Sequence, residues 1–130
     1  MGVIIKKRIV AALGAACALT FLASGTANAG TNSGFVETTD WDPGGRGAFG
    51  HDGDCLTVYD DQSDGYAVEI HLFRMSDYKT IAQLKTKQPA LTHEYQCFGS
   101  QVPENIKVGV RVSLIKSGDK FSGFKYNLTT

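Results

Sequence analysis

The sequence predicts an all-β fold: a small antiparallel β-sandwich of about six or seven strands with one disulfide and an extended N-terminal arm. Three observations predict it. Apolar residues alternate with polar ones along several short segments, which is the signature of half-buried strands. Turn-forming clusters of Gly, Asp, Asn and Ser separate those segments. Two cysteines remain once the first 29 residues are set aside, enough for one bridge in a domain of this size.

The chain has 130 residues, and residues 1–29 read as a secretory signal peptide. Lys6, Lys7 and Arg8 form a basic start, Ile9 to Ala23 is an apolar run of 15, and Ala27-Asn28-Ala29 is a small-residue cleavage pattern. That run is short of the roughly 20 residues needed to span a bilayer. The expectation is a secreted, extracellular protein. Cys17 leaves with the leader, so Cys55 and Cys97 pair in an oxidising compartment. Two thiols alone do not make a zinc site, and His51 and His93 lack finger spacing beside them.

Residues 30–46 (GTNSGFVETTDWDPGGR) have no hydrophobic period and read as an arm. Residues 47–130 form the sandwich domain. Within it Leu56 and Val58 face one way and Thr57 and Tyr59 the other, then Val68, Ile70 and Leu72 oppose Ala67, Glu69, His71 and Phe73. Asp60 to Gly65 supplies a hairpin loop between them. Ser76 to Lys87 fits both a helical stripe (Tyr78, Ile81, Leu84) and a strand face (Thr80, Ala82, Leu84, Thr86), and its neighbours favour the strand. Pro89 ends it. Leu91 to Phe98 is the next strand. Ile106 to Ile115 is the clearest, with Ile106, Val108, Val110, Val112 and Leu114 inward and Lys107, Arg111 and Ser113 outward. Ser117-Gly118-Asp119 turns the chain into Phe121, Phe124, Tyr126 and Leu128, with a bulge at Gly123.

Charge narrows the partner classes. Without Lys6, Lys7 and Arg8, ten basic residues face thirteen acidic ones, a net charge of −3 that argues against nucleic acid as a partner. Glu37 to Asp64 carries −7 and the chain from Gly65 onward +4. No membrane partner is expected.

For chemistry, Glu69, His71, Arg74 and Arg111 are the residues that a small hydrolase or ribonuclease would use, because a carboxylate beside an imidazole is the minimal acid/base pair. No nucleophile elbow or triad spacing accompanies them, so the expectation is no catalytic residues. Asp60, Gln62, Asp64 and Gly65 match part of a calcium loop, but His71 stands where the bidentate glutamate belongs. The expectation is no metal and no cofactor. Gly44-Gly45-Arg46-Gly47 is too short for a phosphate loop and reads as a flexible joint.

Pro43-Gly44-Gly45-Arg46-Gly47 with Phe49, then Gly53-Asp54, Leu56, Val58 and Asp60, then Asp64-Gly65-Tyr66-Ala67-Val68, resembles small secreted β-sandwich proteins of filamentous actinobacteria. Some of these resemble the bridging subunit of umbrella toxin particles. The resemblance implies an adaptor joining a lectin-bearing subunit to the stalk of a large antibacterial toxin, with the arm inserted into the lectin-bearing subunit. It covers about Pro43 to Val68, and this chain departs from it in having one cysteine pair. Independently of the resemblance, Phe35, Val36 and Trp41 in a polar arm suit a docking peptide, and Trp is a favoured hot-spot residue. The expected function is therefore a non-enzymatic protein–protein interaction module that binds other secreted subunits through Phe35, Val36 and Trp41. A small secreted hydrolase or ribonuclease, and a secreted inhibitor, are the alternatives.

Overall fold

The computed structural model describes residues 30–87 and 91–130. Residues 1–29, which read as a signal peptide and include Cys17, and Pro89 lie outside the described residues. The strands in chain order are β1 (Val36–Glu37), β2 (Gly45–Gly50), β3 (Cys55–Asp60), β4 (Ala67–Arg74), β5 (Thr80–Lys85), β6 (His93–Cys97), β7 (Lys107–Ile115) and β8 (Asp119–Thr129), with one 3-10 turn at Gly99–Gln101. They form two antiparallel four-stranded sheets, sheet A in the order β1-β2-β3-β6 and sheet B in the order β5-β4-β7-β8. The sandwich and the Cys55–Cys97 bridge are as the sequence predicts. Among the described residues no helix is long and apolar enough to cross a membrane.

Alternation places the core. Phe49, Leu56 and Val58 of sheet A and Val68, Ile70, Leu72, Val108, Val110, Val112, Leu114 and Leu128 of sheet B are each at most 2% exposed. Fully burying such side chains contributes about 1.5 to 3 kcal/mol each. Cys55 and Cys97 are direct partners across β3 and β6, and their disulfide clamps the edge strand β6 to the sheet.

Three expectations need correction. The Asp60–Gly65 loop does not join a hairpin, because β3 lies in sheet A and β4 in sheet B. Their apolar stripes face each other across the core instead of lying side by side in one sheet. Gly44 to Gly47 is not a flexible joint, since Gly45 to Gly50 is strand β2, paired along its length with β3. Its inward positions are Gly45, Gly47 and Phe49, so two of three carry no side chain and the hydrophobic period vanishes from the sequence. A Cβ on Gly45 would sit 2.5 Å from a Val68 methyl, and one on Gly47 3.0 Å from Ile70 Cδ1. Glycine there lets the two sheets close on each other. The third correction concerns the arm, which is tied to the body.

The ambiguous segment is an edge strand. Ala82 and Leu84 of β5 stand opposite Leu72 and Ile70 of β4, and a register shift at Leu72/Phe73 puts Thr80 opposite Phe73. That shift turns Thr80 to the outer face. The bulge expected at Gly123 coincides with a register irregularity in the β7–β8 ladder next to the Val112–Gly123 pair.

Candidate functional site

The amino-terminal segment is a strap. Thr31 N–H donates to the Thr129 carbonyl (2.8 Å), Ser33 N–H to Phe49 (2.9 Å), Thr38 N–H to Gly45 (2.9 Å) and Thr39 N–H to Phe121 (2.8 Å). It therefore touches β2 of sheet A and β8 of sheet B, closing the side of the sandwich where those strands lie. Val36, expected to face a partner, is 8% exposed and packs into the core. Phe35 and Trp41 do face solvent, at 56% and 102% exposure. Trp41 sits on a loop that Asp40 ties down, one carboxylate oxygen accepting from the Thr38 hydroxyl (2.5 Å) and the other from Gly44 N–H (3.0 Å). The loop holds a bare indole away from the body.

Next to the strap, the outer face of sheet A carries a ladder that sequence reading missed. Arg46, Tyr59 and His93 are successive cross-strand partners on β2, β3 and β6. The Arg46 guanidinium lies 4.8 Å from the Phe35 ring centre and 4.4 Å from that of Tyr59, and Tyr59 stacks on His93 at 5.3 Å. Asp61 accepts from Arg46 Nε at 3.1 Å. Each exposed cation–π contact is worth about 0.5 to 1 kcal/mol. A groove of about 380 Å³ has Asn32, Gly34, Ala48, Thr57 and Tyr95 among its lining residues. The outward phase of Tyr59 was legible; its alignment with Arg46 and His93 depends on register, which spacing alone does not supply.

The outer face of sheet B gathers three of the four residues weighed for chemistry. Gln83, His71, Arg111 and Phe124 form one transverse row across β5, β4, β7 and β8. The Glu69 carboxylate contacts His71 Nε2, and Thr80 Oγ1 lies 3.1 Å from His71 Nδ1. Arg74 does not join them. It makes a two-point ion pair with Asp77 (3.0 and 2.8 Å) across the β4–β5 turn. That contact raises the Arg74 pKa further and, with the Lys79 N–H, holds Asp77 below the usual carboxylate range. Phe73, Tyr78 and Tyr126 flank the row. Phe73 lies 5.9 Å from Tyr78 and 6.1 Å from Tyr126, and Phe124 stacks on Tyr126 at 5.6 Å. Phe73 covers the backbone of Gly109, where a Cβ would meet the ring.

Two buried acids lie apart from both faces. Asp54 and Asp60 are 2% and 3% exposed, and one oxygen of each has no hydrogen-bond donor. Burial pushes both carboxyls above their ordinary pKa; Glu104 adds to the effect at Asp54, and Asp64 and Asp61 add to it at Asp60. In the loop after β3, Asp60 accepts from Gln62 N–H (3.3 Å) and Asp64 from Tyr66 N–H (3.0 Å), which are turn contacts. Among the described residues no three His, Cys, Asp or Glu side chains are grouped to hold a metal ion. Comparison with known proteins finds no family model, no curated protein and no solved structure that matches the chain.

Proposed function

We propose that this chain is a secreted, non-enzymatic interaction module, an adaptor of the kind that bridges a lectin-bearing subunit to the stalk of a large antibacterial toxin. The observation that carries the reading is that the sandwich presents two separate aromatic and cationic faces, one on each sheet, beside a fully exposed Trp41. Two sheets packed face to face turn their outer surfaces to opposite sides. An adaptor needs two such surfaces. Secretion is supported by the basic start and apolar run of the leader and by the bridge between Cys55 and Cys97.

In this reading the strap docks as a fixed surface. Phe35 and Trp41 are its contact residues, and Val36 anchors it to the body. A rigid, pre-ordered element loses less entropy on binding than a free arm.

The experiment is affinity purification of the tagged protein from the producing cell's medium, with the Trp41→Ala variant alongside. Large subunits should co-purify with the parent, and Trp41→Ala should lose one of them while retaining another. A chain that purifies alone defeats the proposal. The hydrolase alternative has one observation in its favour, the contact chain Thr80–His71–Glu69 beside Arg111. Degradation of RNA by the purified protein, abolished in a folded His71→Ala variant, would select it.

A further inference from the structure

An edge strand presents unpaired main-chain groups with which another chain can pair. Most edges of this sandwich are guarded. β1 and β8 close on each other through the strap, where Thr39 N–H donates to the Phe121 carbonyl (2.8 Å). β5 carries Lys85, is flanked by Lys79 and Lys87, and is displaced by the register shift at Leu72/Phe73. Such lysines and irregularities are the usual defences of an edge. β6 has neither. His93–Cys97 contains no lysine or proline, its ladder with β3 runs without a shift, and five residues is an ordinary strand length.

The free main-chain groups of β6 can be named. Asp60 N–H donates to the Thr92 carbonyl (2.9 Å) and Phe98 N–H to the Asp54 carbonyl (3.0 Å), so the pairs at both ends of the β3–β6 ladder are hydrogen-bonded. The Cys55–Cys97 pair has the close Cα separation, 3.9 Å, of a non-hydrogen-bonded pair. Alternation therefore turns the N–H and C=O groups of Glu94 and Gln96 toward β3, and those of His93, Tyr95 and Cys97 toward the open edge. No main-chain bond from another described segment meets them there. The same edge carries two exposed apolar side chains, Tyr95 at 64% and Leu91, just ahead of the strand, at 71%. The disulfide already holds β6 in place, which lowers the ordering cost of pairing.

We propose that β6 pairs antiparallel with β6 of a second copy of this chain, about a twofold axis at Tyr95, joining the two A sheets into one. In that register His93 lies opposite Cys97 of the second copy and Tyr95 opposite its own counterpart, so the free N–H and C=O groups of the strand satisfy one another. The other face sets Glu94 against Gln96 of the second copy, a carboxylate beside an amide donor. No like charges meet. Moving the axis to Glu94 sets two carboxylates against each other, which is unfavourable; moving it to Gln96 leaves His93 beyond the end of the partner strand. Leu91 comes opposite Gly99 of the second copy, where open space takes the place of a side chain. An unrelated extended peptide satisfies the main chain equally well, but the match of Glu94 to Gln96 is a property of this strand against itself. The contact is small, so the dimer is weak, with a dissociation constant of tens to hundreds of micromolar on the order of small transient interfaces. This inference does not depend on the adaptor reading.

The test is sedimentation equilibrium of oxidised residues 30–130 from about 5 to about 500 μM, with amide hydrogen exchange read by NMR at both ends of that range. A monomer–dimer equilibrium is expected, and the amides of His93, Tyr95 and Cys97 should gain protection as the dimer fills. Gln96→Glu places like charges opposite each other twice about the axis and should weaken the dimer by about tenfold. The double variant Glu94→Lys with Gln96→Glu sets opposite charges in the same places and should dimerise at least as tightly as the parent. Thermal melts of the dilute monomers check that each variant is folded, and the rescue by the double variant is an outcome that damage to the fold alone does not give. The inference is overturned if the parent is monomeric at the highest concentration, if the gained protection lies on β5 or β8, if Gln96→Glu dimerises as the parent does, if the double variant is no tighter than Gln96→Glu, or if the β6 amides are protected only when another secreted protein is added.

Discussion

Replacing Gly123 by alanine tests whether the strap belongs to the fold. A Cβ on Gly123 falls well inside van der Waals contact of the Glu37 carbonyl oxygen and 3.3 Å from a Val36 methyl. The obstacle is backbone, so β1 must lift away from β8. Lifting it exposes Val36, whose burial is worth about 1.5 to 3 kcal/mol, and breaks the Thr39 to Phe121 hydrogen bond, worth about 1 kcal/mol net. Part of this returns as chain entropy in the freed strap. The expected loss is about 2 kcal/mol, which for a domain of this size lowers Tm by about 8 °C or more. Gly50→Ala is the internal control: its nearest neighbour is Asn32 Oδ1 at 3.9 Å and its φ is ordinary, so it should be neutral or gain about 0.4 to 1 kcal/mol through the unfolded chain. Thermal unfolding by circular dichroism reads both variants, and hydrogen exchange at the Thr38 and Thr39 amides reports the strap directly. If Gly123→Ala melts with the parent and those amides stay protected, the strap is not a structural element.

Reduction of Cys55–Cys97, whose positions lie 42 residues apart, should cost about 4 kcal/mol by the loop-entropy estimate; a thiol titration of the denatured, unreduced protein that finds two thiols per chain refutes the pairing. Asp54 and Asp60 have folded pKa values raised above 3.8 by burial, so their contribution is fully present below that value and is lost as pH rises through the folded pKa. Asp60→Asn should therefore gain in Tm relative to the parent as pH rises from 3.8, and a difference that does not vary with pH contradicts the assignment. Trp41→Ala should leave Tm unchanged, since the side chain is wholly exposed, yet weaken one partner by about 2 kcal/mol in titration calorimetry. Val36→Ala should do the reverse, lowering stability by about 2 kcal/mol with little effect on affinity, because its methyls are buried in the chain's own core.

Local pattern carried much of the fold. The alternation in Leu56 to Tyr59, Val68 to Phe73 and Ile106 to Ile115 determined which side chains would be inside, because a strand's two faces are set by a period of two and nothing distant can change it. Compartment and count determined the Cys55–Cys97 bridge. Spacing also placed Glu69 and His71 on one face, and the structure puts them in contact. Other features depended on which strand lies beside which. β2 was illegible because Gly45 and Gly47 bury no side chain of their own; their meaning lies in the Val68 and Ile70 side chains that approach them from the other sheet. The Asp60–Gly65 loop looks the same whether it closes a hairpin or crosses between sheets, since the turn residues satisfy the backbone either way. Val36 and Phe35 are neighbours in the strap, and only the position of β1 between β2 and β8 sent one into the core and left the other beside Arg46. Register likewise brought Arg111 opposite His71 and Tyr59 opposite Arg46. The sequence by itself determined the faces, through a periodicity internal to each strand; the tertiary structure alone decided the neighbours, because pairing and register are properties of two segments distant in the chain.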